Sequence, residues 1–129
     1  MKPLIHARFS VAKYHGHIDD YLPIHNFIDS SKAHVPDVRH RAILHSSFGC
    51  YLAEQVFGTY IENSDGKKVS VRDIAEEHII QDLGKIPTVQ DWIGNLPIEE
   101  WMGGPVTRKT RHVPFGMPRT DATTSDLID

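Results

Sequence analysis

Apolar residues recur at helical spacing in several stretches of the chain, and punctuation residues separate them. In residues 4–14 (LIHARFSVAKY), Ile5, Phe9 and Ala12 or Lys13 fall three or four apart and predict a short helix. The His15-Gly16-His17 run ends it. Asp19 and Asp20 then precede YLPIHNFIDSS, where Ile24, Phe27 and Ile28 form an apolar stripe. Pro23 suits a first helical turn there, because its missing N–H costs nothing at that position.

SKAHVP reads as a loop. Residues 36–57 (PDVRHRAILHSSFGCYLAEQVF) predict one long helix, with Pro36 and Asp37 in its first turn and Gly58 just past its end. Ile43, Leu44, Phe48, Tyr51, Leu52 and Val56 spread around most of its circumference, as expected of a central helix packed on several sides. TYIENSDGKKVSV predicts a hairpin turning at Asp65-Gly66. Residues 70–84 predict a further helix, with Ser70 and Asp73 in the S-x-x-[DE] capping pattern and Gly84 as its stop. Thr88 with Asp91, and then Pro97, predict two more short helical turns, whose Trp92, Ile93, Leu96 and Trp101 would pack back onto the body.

The pattern therefore predicts a mainly α fold: a compact bundle of about four helices around a central long helix, one short β-hairpin, and an irregular C-terminal tail. The compact domain is expected over residues 1–102. Residues 103–129 are rich in Thr, Pro and Gly and lack periodicity, and are expected to form a flexible or partner-dependent tail.

Composition adds three constraints. Hydrophobic content of 40% and charged content of 24% are those of a soluble globular chain. A formal charge of −3 disfavours a general grip on nucleic acid, although the TRKTRH run is locally basic. Cys50 is the only cysteine, so neither an internal disulfide nor a Cys-based zinc cluster can form. No apolar run approaches a signal core or the roughly 20 residues of a membrane span. A cytoplasmic location is the expectation.

The nine histidines change the picture most. On the helix over residues 70–84, Val71, Ile74, Ala75, Ile79 and Leu83 define one broad face, and His78 and Asp82 project near its middle, one turn apart. A carboxylate placed inside must be paired, hydrogen-bonded or metal-bound. His45, with Arg41 beside it, is the expected partner from the long helix. His40, His25 and His34 are further candidates. Two or three imidazoles with a carboxylate suit Zn, Mn or Fe. The plainer alternative is a hydrogen-bonded network in which Asp82 orients His78 and Arg41 balances charge. Ser30, Ser31 and Lys32 read as a surface loop, and Cys50 as a small buried residue.

The blocks LPIHNFIDSSKAHVPDVRHRAILH, YLAEQVFG and NSDGKKVSVRDIAEEHIIQDLGKIPTVQDWI together resemble a small domain family of unknown function associated with bacteria and phages. The likeness covers about residues 2–102. It implies one compact domain and brings no activity with it. The HD phosphohydrolases are a more distant analogy, since this chain has no His-Asp dipeptide.

Two functions follow, with nucleic-acid binding through the basic TRKTRH run as a lesser third. In the first, the chain is a metal-dependent hydrolase of a phosphorylated or nucleotide substrate. His45, His78 and Asp82 are the ligands, Glu54 (or Glu77 on another helix phase) the base, and Arg41 or Lys32 the phosphate holder. In the second, it is a non-enzymatic accessory protein that binds a protein partner, a small ligand or a second copy of itself, and the cluster is structural.

Overall fold

The computed structural model describes residues 1–103. Contacts divide the chain into two units, Met1–Gly94 and Asn95–Asp129. The first is built from six α-helices: α1 (Pro3–Tyr14), α2 (Ile18–Ile28), α3 (Arg41–Leu44), α4 (Ser47–Phe57), α5 (Val71–Leu83) and α6 (Val89–Ile93). One antiparallel hairpin joins α4 to α5, with β1 (Tyr60–Glu62) paired to β2 (Lys68–Ser70) so that Ile61 faces Val69. Short 3-10 turns at Ser30–Ala33 and Val38–His40 link α2 to α3. Of the second unit, only a 3-10 turn at Glu100–Met102 is regular among the described residues, so the turn forms later than Pro97. The predicted tail over residues 103–129 lies outside the described residues except for Gly103. No helix of the described residues is long and apolar enough to cross a membrane.

α1 packs on α2, α2 on α5, and α5 on α4. Tyr21, Ile24 and Ile28 from α2 meet Cys50 and Ala53 from α4 and Val71, Ile74, Ala75 and Ile79 from α5. Each fully buried aliphatic side chain stabilises the fold by about 1.5–3 kcal/mol relative to exposure. Asn63 ties the hairpin to the helices. Its amide donates to the Tyr14 carbonyl and the Tyr21 hydroxyl, and its Oδ1 accepts from the backbone N–H of Asp65 and Lys67.

Four expectations are corrected. The long helix over residues 36–57 is broken. Ser46 is extended (φ −155°, ψ 169°), and its Oγ accepts from the Gly49 N–H as the N-cap of α4. The Ser47 N–H turns away to the Pro87 carbonyl at 2.8 Å, so a loop contact replaces an intrahelical bond. Gly49 makes the break possible, because a Cβ there would lie 1.8 Å from the Leu44 carbonyl oxygen. The supposed central helix is thus two helices, and Ile43, Phe48, Tyr51 and Val56 are exposed. Pro23 lies inside α2, which starts at Ile18 with Asp19 and Asp20 in its first turn. α1 turns His6, Ala7 and Ser10 inward rather than Ile5 and Phe9, because polar partners await those residues on α2 and α5. Of the expected anchors, Trp92 does bond the body, donating to the His45 carbonyl, while Ile93 is exposed and Leu96 and Trp101 belong to the second unit.

Candidate metal centre

Beside the apolar core, the interior is imidazole. His6, His25, His45 and His78 are among the most deeply buried side chains of the described residues, and His40 is nearly so. Two carboxylates join them. Asp29 caps the C-terminus of α2, and Asp82 sits in the last turn of α5.

Each group is positioned by its element. Ser70 caps α5 by accepting from the Asp73 N–H, and Gly84 ends it in the left-handed region at φ 80°. That fixes the phase that turns His78 and Asp82 inward with Ile74, Ala75 and Ile79. The break before α4 leaves His45 between two helices, held by the Trp92 indole. His40 closes the 3-10 turn ahead of α3, with its Nδ1–H donating to the Asp37 carbonyl at 2.8 Å.

The groups converge. His45 Nε2 lies 2.9 Å from Asp82 Oδ2 and 3.4 Å from Asp29 Oδ1. His78 Nε2 lies 3.3 Å from Asp29 Oδ1 and 3.5 Å from Asp82 Oδ2. All four residues offer a ligand atom within 4.8 Å of one another. His6, His25 and His78 form a second group that meets the same distance criterion. Their rings, however, are stacked nearly parallel, at 19° to 23°, so their in-plane lone pairs do not point at a common centre. The His45 and His78 rings cross at 69°, and both present Nε2 to the carboxylates.

A hydrogen-bonded chain stands behind His78. Ser10 donates to the His6 carbonyl, so the His25 Nε2–H donates to Ser10 Oγ at 2.8 Å. His25 Nδ1 then accepts from the His78 Nδ1–H at 2.9 Å. This order leaves His78 Nε2 facing two carboxylates. Without a cation it must carry a proton. Burial pushes His78 down, but hydrogen bonds to Asp29 and Asp82 outweigh it and raise its pKa. Burial, with the His78 charge adding to it, pushes His25 down to about 3. Burial likewise pushes His45 down to about 4, against its bond to Asp82, and it lowers His6 as well. Burial opposes ionisation of Asp82 and Asp29, yet the bond from His78 to each, and from His45 to Asp82, holds both carboxyls below their usual range.

Among the described residues, three buried side-chain atoms have no hydrogen-bond partner: His6 Nε2, Arg41 Nε and His45 Nδ1. The first is informative. His6 Nδ1 donates to Gln81 Oε1 at 2.6 Å, so its bare Nε2 stands 3.2 Å from Asp82 Oδ1. Two acceptors facing each other inside a protein cost free energy, which a proton on His6 Nε2 or positive charge nearby relieves. Arg41 and the Met1 amino group supply positive charge near the same oxygen, at 3.9 Å and 3.4 Å.

Of the residues singled out from the sequence, His45, His78, Asp82 and His25 come together, with Arg41 and His40 at the edge. His40 Nε2 is 3.7 Å from Asp29 Oδ1. His34 is exposed and outside the cluster. Glu54 pairs instead with Arg72 at 2.7 Å. Glu77 bonds Lys13 and the Tyr14 hydroxyl, and Lys32 is exposed. Asp29 and His6 escaped the sequence reading. A signal for Asp29 existed: His25-x-x-x-Asp29 repeats the spacing of His78-x-x-x-Asp82. Nothing local marks His6.

A family described as a domain of unknown function, DUF6915, matches residues 1–102. The chain belongs to this family. The match takes in every residue of the cluster and stops where the Thr/Pro/Gly-rich segment begins. Comparison with curated proteins and with solved structures found no match. The DUF6915 domain is thus a small, mainly helical fold with a buried His/Asp cluster.

Proposed function

We propose that the domain binds one divalent transition metal, Zn, Mn or Fe, through His45 Nε2, His78 Nε2, Asp29 and Asp82. One observation carries the reading. The four nitrogen-to-oxygen separations run from 2.9 to 3.5 Å. Ligands about 2.0–2.1 Å from a tetrahedral ion stand about 3.3 Å apart. A mixed nitrogen and oxygen donor set suits these metals, and the two carboxylates neutralise a dication. The chain His78–His25–Ser10 is the outer support that metal-bound histidines use to hold their tautomer.

Such an ion would be a Lewis acid and, on expanding beyond its four protein donors to five-coordination, would hold an activated water, so hydrolysis of a phosphorylated or nucleotide substrate is the chemistry we infer for this site. Arg41 favours that extension. Its Nε is buried without a partner, its guanidinium is partly open to solvent, and it stands over the Asp82 edge of the cluster. A guanidinium so placed holds a phosphate oxygen. With the metal absent, the same residues form an accessory scaffold in which protonated His78 is shared by Asp29 and Asp82.

The test is the metal content of untagged protein, by plasma mass spectrometry, for the wild type and His78→Gln. Near one equivalent in the wild type, with loss in the variant while its helical circular dichroism persists, upholds the reading. Wild type that neither carries nor takes up zinc, manganese or iron overturns it.

A further inference from the structure

An open groove of about 510 Å3 lies on the surface beside the cluster. It forms where the chain passes from the Ser30–Ala33 turn into α3, and its walls include Val35, Pro36, Ala42 and Ile43. Its polar lining is Ser31, His34, Arg39 and His40, with no carboxylate among the lining residues. His40 belongs to both places. It lines the groove, its Nε2 stands 3.7 Å from Asp29 Oδ1, and its ring meets that of His45 edge-on at 5.7 Å.

The geometry points to this groove as the binding site for an organic phosphate monoester, whose phosphate is held by His34 and Arg39, while His40 forms the wall shared with the metal centre. The inference rests on the metal reading above and names the ligand class for that site. The volume falls in the range of small-ligand sites, about 300–1,000 Å3. Apolar walls with an arginine and a histidine among the lining residues match a molecule with an anionic head and an apolar body. A phosphate dianion offers several acceptor oxygens to donors arriving from different directions, where a carboxylate offers two. Arg39 is held by Asp37 through an exposed ion pair. The pair is bidentate but lies open to solvent, so a phosphate dianion can compete with Asp37 for the guanidinium. Ser31 donates to the His40 carbonyl at 2.6 Å and so fixes the backbone that carries His40.

The experiment uses the full chain loaded with Mn2+ and phenylphosphonate, a non-hydrolysable monoester analogue, and reads 31P relaxation. Metal content is measured on the same samples. The expected result is strong, saturable relaxation enhancement that weakens at least tenfold in apparent affinity in His34→Gln/Arg39→Gln, with metal content unchanged. No enhancement in a loaded chain, or equal affinity in the double variant, overturns the inference. So does benzoate displacing phenylphosphonate with equal affinity, since the groove would then select any anion. If the chain takes no metal, the preceding reading has failed, and the same ligand is titrated into the metal-free chain with the imidazole proton signals observed. Saturable shifts of His34 and His40 then uphold the groove as a phosphate site, and their absence overturns it.

Discussion

At the residue scale, the decisive atom is His78 Nε2, which faces Asp29 and Asp82 while its other nitrogen is committed to His25. Asp82→Asn keeps the shape of the side chain and removes its charge. The expected outcome is retained helix content with loss of bound metal, and a melting temperature that no longer responds to chelator, because bound metal stabilises the folded state by mass action. Calorimetry with and without chelator checks it. The histidines also set a pH dependence for the metal-free chain. His25 and His45 stay neutral in the fold down to about 3 and about 4, and His6 is shifted in the same direction. Below about pH 6.5 the unfolded chain takes up protons that these three refuse, so stability falls by about 1.4 kcal/mol per pH unit for each such proton. His78 acts with the opposite sign. Its raised pKa adds stability below about 6.5 that is lost as pH rises through the folded value. Three groups outweigh one, and denaturant midpoints are expected to drop steadily from pH 6.5 to pH 4. A flat profile would mean that the rings are solvated.

At the element scale, the break between α3 and α4 places His45. It depends on the Ser46 cap and on the absence of a side chain at Gly49. Ser46→Ala is expected to cost about 1 kcal/mol, the usual value of an N-cap. Gly49→Ala puts a methyl group into the Leu44 carbonyl, and is expected to cost about 1–3 kcal/mol or more and to weaken metal uptake by displacing His45. Urea denaturation and metal content measured on both variants separate the two effects. If Gly49→Ala is as stable as the wild type, the two helices are free to merge. The break was legible in part. Ser46-Ser47-Phe48-Gly49 offers a capping serine, but the apolar period running through it gave the stronger local signal for one helix. The signal that overrides it, the Ser47 N–H bonding to the Pro87 carbonyl, comes from 40 residues away in sequence, and no local pattern announces it.

At the scale of the whole molecule, the cluster draws on α1, α2, the α3–α4 junction and α5, so the fold and the site are one structure. Every one of these elements lies in the unit Met1–Gly94, and the family match ends at residue 102. We propose on these grounds that residues 103–129 are dispensable for folding. Truncation after Met102 is expected to leave the melting temperature within a few degrees and the metal content unchanged. A fall in either would assign the segment a docked role, checked by thermal melts of the two chains side by side.

What the sequence determined by itself is what local periodicity and local chemistry control. Helices at both ends of the first unit, the Asp65-Gly66 turn, the Ser70 and Thr88 caps, and the inward direction of His78 and Asp82 all follow from residues within one or two turns of each other. What only the tertiary structure decided is which groups meet. Asp29 and His6 are 53 and 76 residues from Asp82, counted from their numbers. Whether they touch it depends on how α1 and α2 are stacked against α5. Arg41 and Glu54 are equally polar in sequence, yet one reaches Asp82 and the other reaches Arg72. The physical reason is reach. A hydrogen bond or a metal bond extends about 2–3 Å, and placing two side chains within that distance across helix axes about 8–10 Å apart is settled by packing, which the pattern along one chain does not encode.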